Sequence, residues 1–473
     1  MNRRFHAPVL PAPRAGRFLA MLLLGALLPC QPILAADANP DMIARGQRLF
    51  FQETFNGNGR TCGTCHPAEN NFTLNAAFIA RLPARHPLFV AEFVPELREG
   101  FENPRLMRQF GLIKENLDGF DDLKNRFVMR AVPHTLAMSQ SVASPGGPRT
   151  GWSGDGAPGD GSLRAFATGA VIQHFTKSLR RVPGVDFRLP TDDELDALEA
   201  FTLTLGRQRE LALPLPLKGA AAQRGQIVFL DDRQGKCNVC HRNAGANARF
   251  AGTDLGNASF DTGVENLTNT PAHLSGEPMP RDDGFGTPGN GQFNTPPLVE
   301  AADTAPFFHN NAARTLEDAV AFYNSEAFNN SPAGRALASL DPNGVGIQLG
   351  AGQVRDVAAF LRVINALENM RQSDELLRVN IGKSFNELLQ NQGGFARAAM
   401  ETDDAIRVLK EAGLHGEAVG HLGRSRLYAQ LGGFFFFLAD PLSRLARSEL
   451  ESARAQLIVS DGTGNPMANG SAK

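Results

Sequence analysis

Two short stretches carry most of the chemistry in this chain: "TCGTCHP" at Thr61–Pro67 and "KCNVCHR" at Lys236–Arg242. Both contain C-x-x-C-H. Residues three apart on a short helix share a face, so the two thiols of one motif reach the same flat partner. The adjacent histidine then falls beneath the centre of that partner. This is the spacing that ties a haem through two thioethers, Cys62 with Cys65 and Cys237 with Cys240, with His66 or His241 as proximal iron ligand. A lone copy leaves a dithiol redox pair or half of a zinc site open. Two copies behind an export signal favour two covalent c-type haems.

That signal is read from the N-terminus. Arg3, Arg4, Arg14 and Arg17 precede the apolar run Phe18–Leu28, followed by Pro29, Pro32 and the small pair Ala35-Ala36. The run is too short to span a bilayer, and small residues suit a signal peptidase. Cleavage near Ala36 makes the protein periplasmic; a membrane anchor is the alternative. Cleavage also removes Cys30, so the five cysteines become four, all within the two motifs. None is left for a disulfide. A length of 473 residues suffices for two or three domains. A net charge of -2 with no run of Lys or Arg speaks against nucleic acid as a partner.

Something must position these motifs, and the sequence around them repeats. "ARGQRLFF" (Ala44–Phe51) precedes the first motif and "QRGQIVFL" (Gln223–Leu230) the second. Each unit also closes with a helical pattern. "TDDELDALEAFTLTL" opens with a capping box, Thr191 and Glu194, and carries Leu195, Leu198 and Phe201 at helical spacing. "QVRDVAAFLRVINAL" repeats the pattern through Val354, Val357, Leu361 and Ile364. The expected fold is mainly α: two cytochrome c-like haem domains plus a C-terminal helical extension. The boundaries read as 1–36 signal peptide, 37–210 N-terminal haem domain, 219–371 C-terminal haem domain and 372–460 extension. Pro-rich "LALPLPLKG" (Leu211–Gly219) is the linker. In the extension, helices are expected to break at Gly393-Gly394 and near Gly413, "LGGFFFFLADPL" to pack as core, and the tail to be disordered.

The order of these landmarks resembles the bacterial di-haem cytochrome c peroxidase family, which includes the di-haem enzyme that matures the tryptophylquinone cofactor of methylamine dehydrogenase. The stretches that carry the resemblance are "GQRLFF…CGTCH", "RAVPHTL", "GWSGDG…SL", "GKCNVCH", "FDTGV", "FNTPPLVEAADTAPFFHNN" and "TLEDAVAFYN", spanning roughly residues 44 to 367. The resemblance implies a division of labour. The C-terminal haem takes electrons from a small soluble donor, a cytochrome c or a cupredoxin, and the N-terminal haem reduces hydrogen peroxide. Calcium is a further candidate ion, and a homodimer a candidate assembly.

Three positions follow from the resemblance. Tyr323 lies fourteen residues after His309, where the family's peroxidases hold a Met on the electron-transfer haem and the quinone-maturing enzyme a Tyr. A phenolate ligand favours ferric iron; a Tyr packed on a helix face is the alternative. Trp152, the only tryptophan, matches the family's Trp between the haems, although the following Asp-Gly-Arg is here Ser-Gly-Asp. The family's distal acid–base Glu, counted thirteen residues from Leu163, falls on Thr176. No carboxylate lies near it in sequence, so Gln173 and His174 are the candidates there. Met107, Met129, Met138, His86, His134 and His174 are the residues able to close that face of the haem. Three functions stay open: a cytochrome-c peroxidase-like enzyme, a di-haem oxidase or oxygenase acting on an organic or protein substrate, and a plain electron carrier.

Overall fold

The structure is a computed structural model that describes residues 39–459, except 116–124, 143, 155–158, 278, 287–288, 385–386 and 389–391. The expected signal peptide with Cys30 and the tail from Ser460 lie outside the described residues. The chain is mainly α, with three two-stranded antiparallel sheets among the described residues. None of the described helices is long and apolar enough to cross a membrane.

The first unit opens with helix α1 (Pro40–Gln52), whose start is set by Asn39 accepting from the Asp41 amide and by Pro40 in the first turn. The first C-x-x-C is the single turn α2 (Cys62–Cys65). A hairpin follows, β1 (Leu112–Glu115) against β2 (Val128–Ala131), with Ile113 opposite Arg130. Helix α3 (Leu163–His174) is capped by Ser162. Helix α4 (Asp192–Thr202) starts at the Thr191–Glu194 capping box. Arg188 clamps Glu194 from both sides at 2.7 and 2.8 Å, which holds its carboxyl down at about 2.

The second unit repeats this plan with α5 (Ala220–Leu230), the turn α6 (Cys237–Cys240), α7 (Leu316–Phe322) and the long helix α8 (Ala351–Arg378). One glycine in each unit explains why "RGQ" recurs. A Cβ on Gly46 would sit 1.9 Å from the Ala197 carbonyl oxygen, and one on Gly225 would sit 1.9 Å from that of Asp356. The opening and closing helices of each unit therefore cross backbone to backbone, where only glycine fits. The sequence-predicted apolar positions all lie in the cores: Leu195, Leu198 and Phe201 in one unit, Val354, Val357, Leu361 and Ile364 in the other.

The extension forms helices α9 (Gln392–Glu411), α10 (Gly416–Phe434) and α11 (Ala439–Leu457). It differs from the sequence reading in three ways. Helix α8 runs unbroken through residue 371, because α5, α9 and α11 surround it and bury its middle on every side. Gly393 and Gly394 stand inside the first turn of α9. The Pro-rich linker is packed rather than loose, with Leu211, Leu215 and Leu217 buried. Its end pairs with the end of the extension, Lys218 N–H to the Leu457 carbonyl at 2.7 Å and Val459 N–H to that of Pro216 at 2.8 Å. Finally, "GGFFFFLADPL" is not core: Phe434 and Phe437 are 77% and 75% exposed. Gly432 and Gly433 at the end of α10 pack against Phe395, while Phe434 and Phe437 face outward.

Between α8, α9 and residues 300–303 lies a buried polar seam. Glu368 is gripped by Arg207 at 2.9 Å and by Arg371 at 2.9 and 2.5 Å. Asp303 accepts from Asn365 and Asn369 at 2.8 and 2.9 Å, and Glu300 from Gln372 at 2.6 Å.

Candidate functional site: two facing cysteine-histidine cavities

Two cavities of nearly equal size, ≈170 and ≈180 Å³, each hold one motif. Cys62, Cys65 and His66 line the first; Cys237, Cys240, His241 and Tyr323 line the second. All four cysteines are free. Burial pushes their thiols up, to about 11 for Cys65 and about 12 for the other three, so they stand as neutral SH groups.

The two histidines are held alike by unlike partners. His66 Nδ1 lies 2.9 Å from the Phe72 carbonyl and His241 Nδ1 lies 3.1 Å from that of Pro296. A carbonyl only accepts, so Nδ1 carries the proton and Nε2 keeps its lone pair. Burial lowers both imidazoles to about 4, leaving them neutral. Paired thiols, a neutral histidine with a free Nε2 and largely apolar walls form a donor set that fits a c-type haem in each cavity. The zinc reading gains nothing: among the described residues no three His, Cys, Asp or Glu are arranged to hold a metal ion.

The walls opposite the motifs differ. In the first cavity α3 brings Gln173 and His174 to the surface, both buried. Gln173 Nε2 is 3.0 Å from His174 Nε2. Burial first, then Arg60, Arg181 and His66, hold His174 well below the usual histidine range. Thr176, where the family pattern places its acid, turns away from the cavity and donates to the Ser178 carbonyl at 2.6 Å. Of the residues expected to be able to close this face, Met138, His134 and His174 line the cavity. His86, Met107 and Met129 do not: His86 caps a short turn, and the two methionines sit in other core clusters.

A carboxylate distant from Thr176 in sequence nevertheless lines this cavity. Glu115, on β1, lines the first cavity with its Oε1 4.0 Å from His174 Nε2. The available signal was the alternation in "LIKE": residues two apart share a strand face, and both Ile113 and Glu115 line the cavity.

In the second cavity Tyr323 ends α7 and packs edge-on against Phe322 and Phe328, with centroids 5.3 and 4.8 Å away. Burial first, then Cys240 and Cys237, push its hydroxyl well above the usual tyrosine range. Trp152 lines both cavities. Its Nε1–H donates to the Ala131 carbonyl at 2.8 Å, and the Ala131 N–H donates to the His309 carbonyl at 2.7 Å. His309 in turn stacks on Phe293 at 3.5 Å and bonds Glu265 at 2.6 Å. His134, whose Nδ1 is buried without a partner, also lines both cavities.

No family model matches this chain, and no curated protein does. Among solved structures it is similar to a MauG-like protein associated with microbial copper homeostasis, at 17% identity over 70% of this chain and 90% of that one, with a TM-score of 0.37. It is also similar to the diheme peroxidase BthA from Burkholderia thailandensis E264, at 17% identity, 68% and 86% coverage and a TM-score of 0.31. A third similar structure is Kuenenia stuttgartiensis hydrazine synthase, at 17% identity, 73% and 99% coverage and a TM-score of 0.36. At these values the functional reading rests on the side chains themselves.

Proposed function

We propose that the protein is an exported di-haem c-type oxidoreductase of the bacterial cytochrome c peroxidase kind. In this reading it reduces hydrogen peroxide in the first cavity, with electrons from a small soluble cytochrome c or cupredoxin arriving through the second. The observation that carries the proposal is the pairing of two C-x-x-C-H cavities with unlike walls around one shared tryptophan. Haem bound in each supplies one-electron redox chemistry, and peroxide cleavage takes two electrons.

The chain's own residues then have separable tasks. Cys62, Cys65 and His66 hold one group; Cys237, Cys240 and His241 hold the other, with Tyr323 facing it across the cavity. Gln173 and His174 present polar atoms where a small oxygen substrate would lie. Trp152 bridges the two cavities, its indole proton fixed on a backbone carbonyl. A second reading, oxidation of an organic or protein substrate, is favoured by Tyr323 and by Thr176 standing where the family pattern has its acid.

The test is turnover. Purified exported protein should carry two covalent haems by mass spectrometry and oxidise a reduced small cytochrome when peroxide is added. Peroxide-induced spectral change without oxidation of any soluble one-electron donor would favour the second reading, and no change at all would leave an electron carrier.

A further inference from the structure

We propose that Glu115 is the proton carrier of the first cavity and stands beside the Gln173–His174 pair; this rests on the reading of that cavity as the place where peroxide is reduced.

The strand puts it there. Ile113 and Glu115 share the face of β1 that lines the cavity, and Lys114 between them points away, its ammonium on the Gly100 carbonyl. The register places Ile113 opposite Arg130, so Arg130 is the diagonal neighbour of Glu115, with its Nη1 4.0 Å from Oε2. Arg130 is itself tied to Asp282 at 2.6 and 3.0 Å and to Ser153 at 2.8 Å. The wall behind the carboxylate is therefore rigid and charged.

The chemistry of His174 argues for a second group. An amide nitrogen only donates, so Gln173 Nε2 at 3.0 Å makes His174 Nε2 an acceptor. An imidazole so occupied, and held neutral by burial, is poorly placed to take up and return a proton by itself. Glu115 Oε1 stands 4.0 Å from that same nitrogen, too far for a direct hydrogen bond. This separation sets the carboxylate on the cavity wall beside the Gln173–His174 pair.

The balance is simple. In H2O2 + 2H+ + 2e− → 2H2O, one proton must move from the oxygen that stays to the oxygen that leaves. The Glu115 carboxylate takes that proton, the O–O bond breaks as the soluble donor's two electrons are delivered, and Glu115 returns it so that the departing oxygen leaves as water. The remaining oxygen takes its two protons from solvent. The Gln173–His174 pair lines the cavity beside Glu115 and shapes the space the substrate enters.

Cyanide tests the proton transfer without electrons, because HCN must lose its proton to bind ferric haem as the anion. Glu115→Gln should slow cyanide association with the resting protein by about 10² to 10⁴ while the final spectrum and the two-haem mass stay unchanged. Glu115→Asp should recover part of the rate, and guards against a glutamine variant that folds poorly. Peroxide turnover should fall in parallel. An unchanged cyanide rate in both variants overturns the role of Glu115, even if wild-type protein turns over peroxide well. Slowed cyanide binding in the variants of a wild-type protein that does not turn over peroxide keeps the role and sinks the proposed reaction instead.

Discussion

The two halves share a frame and differ in one wall. In both, a glycine lets the first helix cross the last at backbone distance, and a C-x-x-C turn delivers a histidine whose Nδ1 is locked on a carbonyl. In both, a helix capped by Ser or Thr ends at the residue that faces the motif. That helix has 12 residues in the first half and ends on His174; it has 7 in the second and is followed by Tyr323. The first wall gains Gln173 and, from β1, Glu115; the second is an aromatic cage around one hydroxyl. In the proposed reading the frame fixes where a cofactor binds, and the wall decides whether protons can be moved there.

The comparison breaks most visibly if one motif is removed. Replacing Cys62 and Cys65 by Ser should leave a protein with one covalent haem instead of two, the second half's spectrum surviving; loss of both would show that the halves do not load independently. Next in size is the exchange of wall residues. His174→Ala should release Gln173 and slow the peroxide reaction by about 10²-fold through lost positioning and leave the second half's spectrum alone, whereas Tyr323→Phe should do the reverse. A faster His174→Ala protein would mean that the imidazole closes the resting site.

Gly46→Val and Gly225→Val should each cost about 3 kcal/mol, since the side chain would be driven into backbone that cannot retreat. Thermal unfolding measures this, and a difference between the two would show which crossing is more pliable.

The smallest expected effect is one of pH, in the seam beside the second unit. Glu300, Asp303, Glu368, Glu401 and Asp404 face Arg207, Arg371, Arg397 and Arg407 there. Burial first, then neighbouring carboxylates, raise Glu300 to about 8 and Asp303 to about 7. The folded state keeps protons that the unfolded chain releases above its ordinary carboxyl range. The stability these two groups add is therefore full only below the ordinary carboxyl range, near about pH 4, and is lost as pH rises from there through about 7 to 8. Melting temperature should drop by a few degrees from pH 6 to pH 9, and Glu300→Gln should flatten that slope.

What the sequence made legible was local. C-x-x-C-H, the Thr191–Glu194 box and the recurrent "RGQ" are short-range patterns whose geometry follows from helix spacing alone. Glu115 was not legible, because its partner lies on a distant helix and the strand that aims it is only four residues long. Helix α8 hid its length for a related reason. Buried on all sides, it shows no polar stripe, and its Arg362, Asn365, Glu368 and Arg371 look like surface until partners from other elements are known. The exposed phenylalanines misled in the other direction, since apolar type alone does not say which side of a turn a ring takes.

The pairing of residues 216–218 with 457–459 bears on the order of assembly. The stretch joining the two units is clasped by the last described segment of the chain, so this contact closes a loop of most of the C-terminal half and forms late. In the proposed reading, a chain exported N-terminus first completes this contact only after both cysteine pairs have emerged.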